Sequence, residues 1–199
     1  MDLKFKKMPI SIISGILVIV IYCAFTFISL GLFPTPYSPI KNWLSDLGNS
    51  SYNPNGAIFY NLGCILTGAL LFPFYIGLYT WYMDKTWHKI LIIATQIVGC
   101  CSAFALIMIG IFSEDFLEPH IFWSEVFFEL NLLVLILAAV SLFCHPKFFK
   151  PIGIYAIVVA IINLVFTFVI IIPILEWFTV FTALGFAGLL VFNMYKNIE

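Results

Sequence analysis

The sequence predicts an all-α integral membrane protein in which six transmembrane helices form a single domain over residues 1–199. Composition is the first reason, since 63% of the residues are hydrophobic and 10% are charged, with a mean hydropathy of +1.10. Soluble domains carry about a quarter charged residues, so lipid must replace water around much of this chain. The second reason is that apolar runs near the ~20 residues needed to cross a bilayer recur between short polar segments.

The six spans are predicted in order from these apolar runs. The first follows a basic segment and is too long for the core of a signal peptide. The second follows the turn residues Asn53-Pro54-Asn55-Gly56, and Asn55 is expected to cap it. Short polar segments bound the third and fourth spans, and little more than Pro173 and Ile174 separates the fifth from the sixth. The predicted spans are residues 10–32, 57–82, 88–112, 121–143, 151–172 and 175–195.

The lysines predict how the bundle is oriented, because the side richer in Lys and Arg faces the cytoplasm. The chain has no Arg, and only Lys41 falls on the side opposite the other eight lysines. Both termini are therefore expected in the cytoplasm. We expect a multi-pass protein of the plasma membrane with extracytoplasmic acidic loops. The eight lysines are Lys4, Lys6, Lys7, Lys85, Lys89, Lys147, Lys150 and Lys196.

Acidic residues gather on the predicted outer side, which the charge rule does not explain because acids contribute little to it. We expect the three outer connections to converge on one acidic pocket, with Asn53, Asn61, Ser124 and Asn131 in its lining. The outer acids, seven of the ten in the chain, are Asp46, Glu114, Asp115, Glu118, Glu125, Glu129 and Glu176.

Several of these residues also have a purely structural explanation. Asn53 is typical of a turn, residues 45–48 of a turn closed by an Asx-type hydrogen bond, and Glu176 of a helix N-terminus. Glu129 is harder to explain, since it lies about 13 Å deeper than His120 at ~1.5 Å per residue. An ionised carboxylate costs about 2.5–3.5 kcal/mol at such a depth. We expect Glu129 to face the interior, although it lies on roughly the opposite side of the helix from His120; a neutral, hydrogen-bonded Glu129 is the alternative.

His120 is the one histidine on the predicted outer side and is the candidate general acid or base. Asp46 or a Glu is expected to orient it. No nucleophile motif accompanies these residues, so whether the protein is an enzyme stays open. The candidate catalytic residues are His120, Asp46, Glu114 and Asp115.

No cofactor is predicted. His88 and His145 fall on the side opposite His120, which excludes a three-histidine zinc site. The chemical alternative is a divalent cation, Ca²⁺ or Mg²⁺, held by Asp46, Glu114 and Asp115. The expected partner is a membrane lipid, with another membrane protein as the alternative. Nucleic acid is not expected at a net charge of −1 without Arg.

Short motifs follow one another along nearly the whole chain: Ser45-Asp46-Leu47-Gly48, Asn53-Pro54, Asn61 with Gly63, Gly110 through Asp115, His120, and Glu176-Trp177. Their order resembles the prokaryotic membrane-protein family called domain of unknown function 998. The resemblance implies a six-span inner-membrane protein without an established activity. The Ser-Asp-Leu-Gly pattern is also similar to the eukaryotic DRAM/Frag/Sfk family, and that likeness implies a link to lipid or lipid-anchor remodelling.

Three functions follow from this reading. A pocket confined to the outer side favours a protein that acts on or binds lipid head groups, or a non-enzymatic membrane scaffold. Polar residues that continue through the inner half favour a small transporter or channel, because a conducting path needs them at both depths. We expect the first of these functions.

Overall fold

The computed structural model describes residues 8–197 and is helical throughout that range, with no strand. Lys4, Lys6 and Lys7, on which part of the predicted orientation depends, lie outside the described residues, as do Asp2 and Glu199. All six predicted spans are confirmed as helices long and apolar enough to cross a membrane. They are α1 (Ile10–Gly31), α2 (Ala57–Ile76), α3 (Thr86–Ile111), α4 (Leu117–Phe143), α5 (Lys150–Phe168) and α6 (Pro173–Lys196). Two 3₁₀ helices, Ser45–Gly48 and Gly77–Trp81, precede and follow α2.

The six helices form a closed ring, because each packs against its neighbours in the chain and α6 also packs against α1. Short connections make neighbouring helices antiparallel from α2 onwards. The α1–α2 connection is longer, and there Ser29 contacts Asn53 at one end of the pair while Gly15 lies beside Phe74 towards the other. The α1–α2, α3–α4 and α5–α6 connections therefore share one end of the bundle, here called the acidic end. The other end, here called the lysine end, carries the α2–α3 and α4–α5 connections. Large apolar side chains such as Val20, Ile97 and Ile161 remain exposed on the outside of the ring, where lipid would cover them.

Glycines allow α2 and α3 to approach closely at the acidic half of the bundle. A Cβ atom on Gly68 would lie 2.7 Å from the backbone oxygen of Ala103, and one on Gly110 would lie 2.5 Å from that of Asn61. Only small residues permit backbones to come this close in a membrane bundle. The wall formed by α1, α2 and α3 is consequently the tightest part of the ring, and α5 and α6 pack more loosely.

Two predicted span boundaries are wrong. The fifth helix ends at Phe168 instead of residue 172, and Val169 to Ile172 form an open connection. Pro173 disfavours helical backbone at the preceding residue, and Ile172 is accordingly extended, with φ −139° and ψ 149°. The earlier end at Phe168 has no such local cause. The fourth helix begins at Leu117 instead of residue 121. Pro119 falls in its first turn, where proline is tolerated.

Candidate functional site

Asn53 fixes the α1–α2 connection onto the bundle. Its side chain is fully buried, and Nδ2 donates hydrogen bonds to Ser29 O (3.1 Å), Ser29 Oγ (2.9 Å) and Leu47 O (3.1 Å). Its Oδ1 accepts a hydrogen bond from Gly56 N–H at 3.1 Å, at the start of α2. The polar group at this helix start is thus Asn53 and not the predicted Asn55, which is exposed.

The Ser45–Gly48 turn is held by Asp46 and Asn61. Oδ2 of Asp46 accepts hydrogen bonds from Trp43 N–H (3.0 Å) and Asn42 Nδ2 (3.2 Å). Asn61 Nδ2, from α2, donates to Gly48 O at 2.9 Å. A Cβ atom on Gly48 would collide with Asn61 Oδ1, so the turn needs glycine at this position.

Glu176 connects this turn to the last helix. The residue lies in the first turn of α6 with 8% of its surface exposed. Its Oε2 accepts a hydrogen bond from Leu44 N–H at 2.7 Å, and Ser45 N–H also faces the carboxylate. The expected convergence of the first and third connections therefore takes place at Glu176.

Glu114 belongs to the α3–α4 connection and brings this second connection close to Asp46. Its carboxyl group lies near the side chains of Asp46, Asn49 and Asp115. Burial, followed by the neighbouring charge of Asp46, raises the pKa of Glu114 from 4.5 to about 7. Burial likewise raises the pKa of Asp46. Two carboxyls this close do not both ionise readily.

Asp115 serves a different purpose, because both of its oxygens are occupied by hydroxyl and backbone donors. Oδ1 accepts hydrogen bonds from Ser50 N–H (3.0 Å) and Ser50 Oγ (2.8 Å), and Oδ2 accepts one from Ser113 Oγ (2.9 Å). The residue ties the first and second connections together. Within residues 8–197, the structure brings no three His, Cys, Asp or Glu side chains into a metal-binding arrangement.

His120 is buried in the first turns of α4, and a backbone carbonyl orients its ring. Nδ1 lies 2.8 Å from Phe112 O and donates to it. In the neutral ring Nε2 is then the unprotonated nitrogen, free to accept a proton or a hydrogen bond. The expected orientation of His120 by Asp46 or a Glu is therefore not what the structure shows.

A lateral groove of ≈ 390 Å³ opens on the outside of the bundle between α4 and α5 and reaches these residues. Its polar lining is Ser45, Glu114, His120, Ser124, Glu125, Thr167 and Glu176, and its apolar lining is Trp43, Leu117, Ile121, Phe128, Phe166 and Ile171. A chamber of ≈ 80 Å³ lies behind it at the centre of the ring. Groove and chamber have Ser45, His120, Ser124, Phe128 and Glu176 in common.

The chamber reaches the middle of the bundle and contains polar atoms without partners. Thr67 and Asn131 line it with 1% and 7% of their surfaces exposed. Thr67 Oγ1 and Asn131 Nδ2 have no hydrogen-bond partner among residues 8–197. Asn131 also lines a smaller cavity of ≈ 30 Å³ nearer the lysine end, together with Leu78, Leu135 and Leu190.

The predicted site residues thus fall into separate groups. Glu114, Ser124, Glu125, His120 and Glu176 line the groove, and Asn131 lines the chamber. Asp46 lies directly behind Glu114, whereas Asn53, Asn61 and Asp115 hold the connections in place. Glu129 is exposed on the outside of α4 instead of facing the interior, as its helical phase relative to His120 requires. Trp43, Ser45, Thr67 and Thr167 were not predicted; of these, only Thr67 and Thr167 carry a sequence signal, as polar residues within apolar runs.

Comparisons with known proteins give a family and no activity. The family model described as "Protein of unknown function (DUF998)" matches residues 16–194. No curated protein and no solved structure matches the chain.

Proposed function

The chain belongs to the DUF998 family, and since that description names no activity, we propose from the geometry of its acidic end that it binds the head group of a membrane lipid. The lipid would reach the site sideways, through the groove between α4 and α5. The observation that carries this proposal is that apolar side chains on and next to α4 and α5, here called the apolar wall, line the same groove as Glu114, His120 and Glu176, here called its polar end. Ser124, Glu125 and Thr167 are further polar residues along the two helices.

The apolar wall suits acyl chains. Ile121, Phe166 and Ile171 line the groove on α4, on α5 and just beyond α5, and burying apolar surface there is favourable by about 25 cal/mol per Å². The polar end suits a head group, because Glu114, His120 and Glu176 lie where the groove meets the connections of the acidic end. An amphiphile can therefore stay in the membrane while its head group reaches the buried polar residues.

The test is to identify the lipids that stay bound to the purified protein by mass spectrometry. Thr167→Trp fills the groove from α5, and Ile161→Trp places the same side chain on an exposed position of the same helix. We expect the wild type and Ile161→Trp to retain the same lipid and Thr167→Trp to lose it. Equal retention by all three proteins would refute lateral binding.

A second candidate is chemistry on the bound head group, because His120 lies in the groove with Nδ1 already committed to a carbonyl. A histidine held in this way is suited to general acid–base work through Nε2. The test compares the membrane lipids of host cells that produce wild type or Asp46→Asn/His120→Ala at matched protein levels. A species that accumulates only with the variant supports catalysis, and identical lipids refute it.

Transport through the ring is the less favoured alternative. The small cavity nearer the lysine end is lined by Leu78, Leu135 and Leu190, with Thr95 and Asn131 as its polar members. A conducting path is expected to carry polar groups through this half as well. At the centre of the ring, the chamber nearer the acidic end has more polar lining residues than this small cavity, including His120, Ser124 and Glu176.

A further inference from the structure

We infer that the head group bound in the groove carries a primary ammonium group, as in an aminolipid. This inference rests on the proposed function and adds the chemical class of the ligand. The residues that carry it are Glu114 and Glu176, which line the groove, and Asp46, which lies next to Glu114.

These carboxyls have no cation beside them within residues 8–197. Asp46 accepts hydrogen bonds from Asn42 and Trp43, and Glu176 accepts from backbone N–H groups. The neighbouring charged groups of Glu114 include Asp46 and Asp115, and those of Glu176 include Asp46 and Glu114. Three acids in one partly buried site repel one another, and a bound cation would remove that repulsion.

Unpartnered buried atoms give a second and independent indication of a polar ligand. Glu114 Oε2 is buried without a hydrogen-bond donor. In the adjoining chamber, Asn131 Nδ2 and Thr67 Oγ1 also lack partners, although both side chains are more than nine-tenths buried. Leaving such buried atoms without hydrogen bonds is unfavourable. A purely apolar ligand would leave them so, whereas a polar head group with its water would supply partners.

The donors of an ammonium group match this set of acceptors. A primary ammonium has three N–H donors, which suit the carboxylate oxygens of Glu114 and Glu176. A quaternary amine has no N–H donor, so it would leave the carboxylate oxygens of Glu114 and Glu176 without hydrogen bonds from the head group. A phosphate or glycerol head group without an amine would be repelled by the acids. The expected order of affinity is therefore primary ammonium, then choline, then anionic glycerol.

The test is a titration of the full-length protein in detergent, followed by native mass spectrometry, with three phospholipids of identical acyl chains. They carry ethanolamine, choline or glycerol head groups. We expect wild type to bind the ethanolamine lipid about tenfold more tightly than the glycerol lipid. Glu114→Gln should reduce this preference to about threefold or less, and Glu118→Gln should leave it unchanged. Glu118 is an exposed acid at the same end and lines neither cavity.

The outcomes separate the inference from the proposed function. Binding of all three lipids with equal affinity, blocked by Thr167→Trp, would overturn the ammonium assignment and leave lipid binding intact. If Thr167→Trp reduces the binding of none of the three lipids, the proposed function is overturned. In a further arm, chain-free glycerophosphoethanolamine is added as a competitor. If it displaces the lipid at equal concentration, the site binds the amine without needing the chains, which supports the ammonium assignment and contradicts a lipid-specific site.

Discussion

The carboxylate of Glu176 accepts a hydrogen bond from the backbone N–H of Leu44 at 2.7 Å. This contact joins the last helix to the α1–α2 connection, as does the hydrogen bond that Trp177 Nε1 donates to the Tyr37 hydroxyl at 3.1 Å. The same connection is held on α1 and α2 through Ser29, Asn53 and Asn61 and on the α3–α4 connection through Asp115. The same carboxylate lines the groove. One residue therefore helps to close the ring of helices and also contributes charge to the site.

Two substitutions of Glu176 separate these roles. Glu176→Gln retains an oxygen acceptor for Leu44 N–H, so we expect a small change in melting temperature and a loss of most of the preference for ammonium lipids. Glu176→Leu leaves that N–H buried without an acceptor, which should cost about 1–3 kcal/mol of stability. Thermal unfolding in detergent and the lipid titration measure the two effects. A Glu176→Gln protein that keeps its lipid preference would show that this charge does not select the ligand.

Glu114 should make the stability of the protein depend on pH. Its pKa is about 7 in the folded state against an ordinary 4.5, so the folded state binds more protons between these values and stability falls as pH rises through that window. Glu114→Gln should weaken this dependence, although Asp46, whose pKa is also raised, still contributes to it. It should stabilise the protein at pH 8 by about 1 kcal/mol, a value kept small because the side chain is only half-buried. Melting temperatures at pH 5 and pH 8 measure it, with Glu118→Gln as control. A wild-type protein whose stability rises between these pH values would contradict the assignment.

The six spans could be predicted because a membrane helix is specified by the length of its apolar run, which is read directly from the sequence. Their ends were less predictable. From Phe168 to Ile172 the fifth apolar run contains no polar residue, so hydropathy does not reveal that the helix ends at Phe168. Pro119 reads as a helix stop, although it fits the first turn of α4.

The candidate site was predictable to the extent that charge and helix ends define it. Asp46, Glu114 and Glu176 were expected to meet because each lies in or next to a connection at the same end of the bundle. The prediction that Glu129 faces the interior rests on the cost of a carboxylate in lipid. Its side chain faces outward instead, because Glu129 and His120 lie on roughly opposite sides of α4. The groove itself has no sequence signal, since it depends on how far α5 separates from α4 in the folded ring.

Asn53 is expected to be the polar residue on which the fold of the acidic end most depends. Its Nδ2 contacts three acceptors and its Oδ1 one donor in a fully buried position. Asn53→Ala leaves several of these groups unsatisfied, so we expect a loss of about 2–4 kcal/mol. Asn55→Ala, two residues away and exposed, should change the free energy of unfolding by less than about 0.5 kcal/mol. Equal melting temperatures for the two variants would refute this role.

The histidines at the two ends of the bundle should carry their protons on different ring nitrogens. His120 donates from Nδ1 to Phe112 O, which leaves Nε2 unprotonated. In His145, Nδ1 accepts a hydrogen bond from Lys147 N–H at 3.2 Å, so the neutral ring must carry its proton on Nε2. Burial, followed by the charges of His88, Lys147 and Lys150, lowers the pKa of His145. Its ring therefore stays neutral to a lower pH than an ordinary histidine.

Nitrogen-15 spectra of histidine-labelled protein test this difference, with His120→Gln and His145→Gln to assign the signals. At pH 8 we expect a protonated Nδ1 and a bare Nε2 for His120, and the reverse for His145. Loading the protein with an ethanolamine lipid should shift the Nε2 signal of His120 and leave that of His145 in place, because only His120 lines the groove. An Nε2–H form of His120 would remove its free acceptor nitrogen and with it the basis for acid–base chemistry at this site. A shift of both histidines would show that the lipid acts on the whole bundle instead of binding at the acidic end.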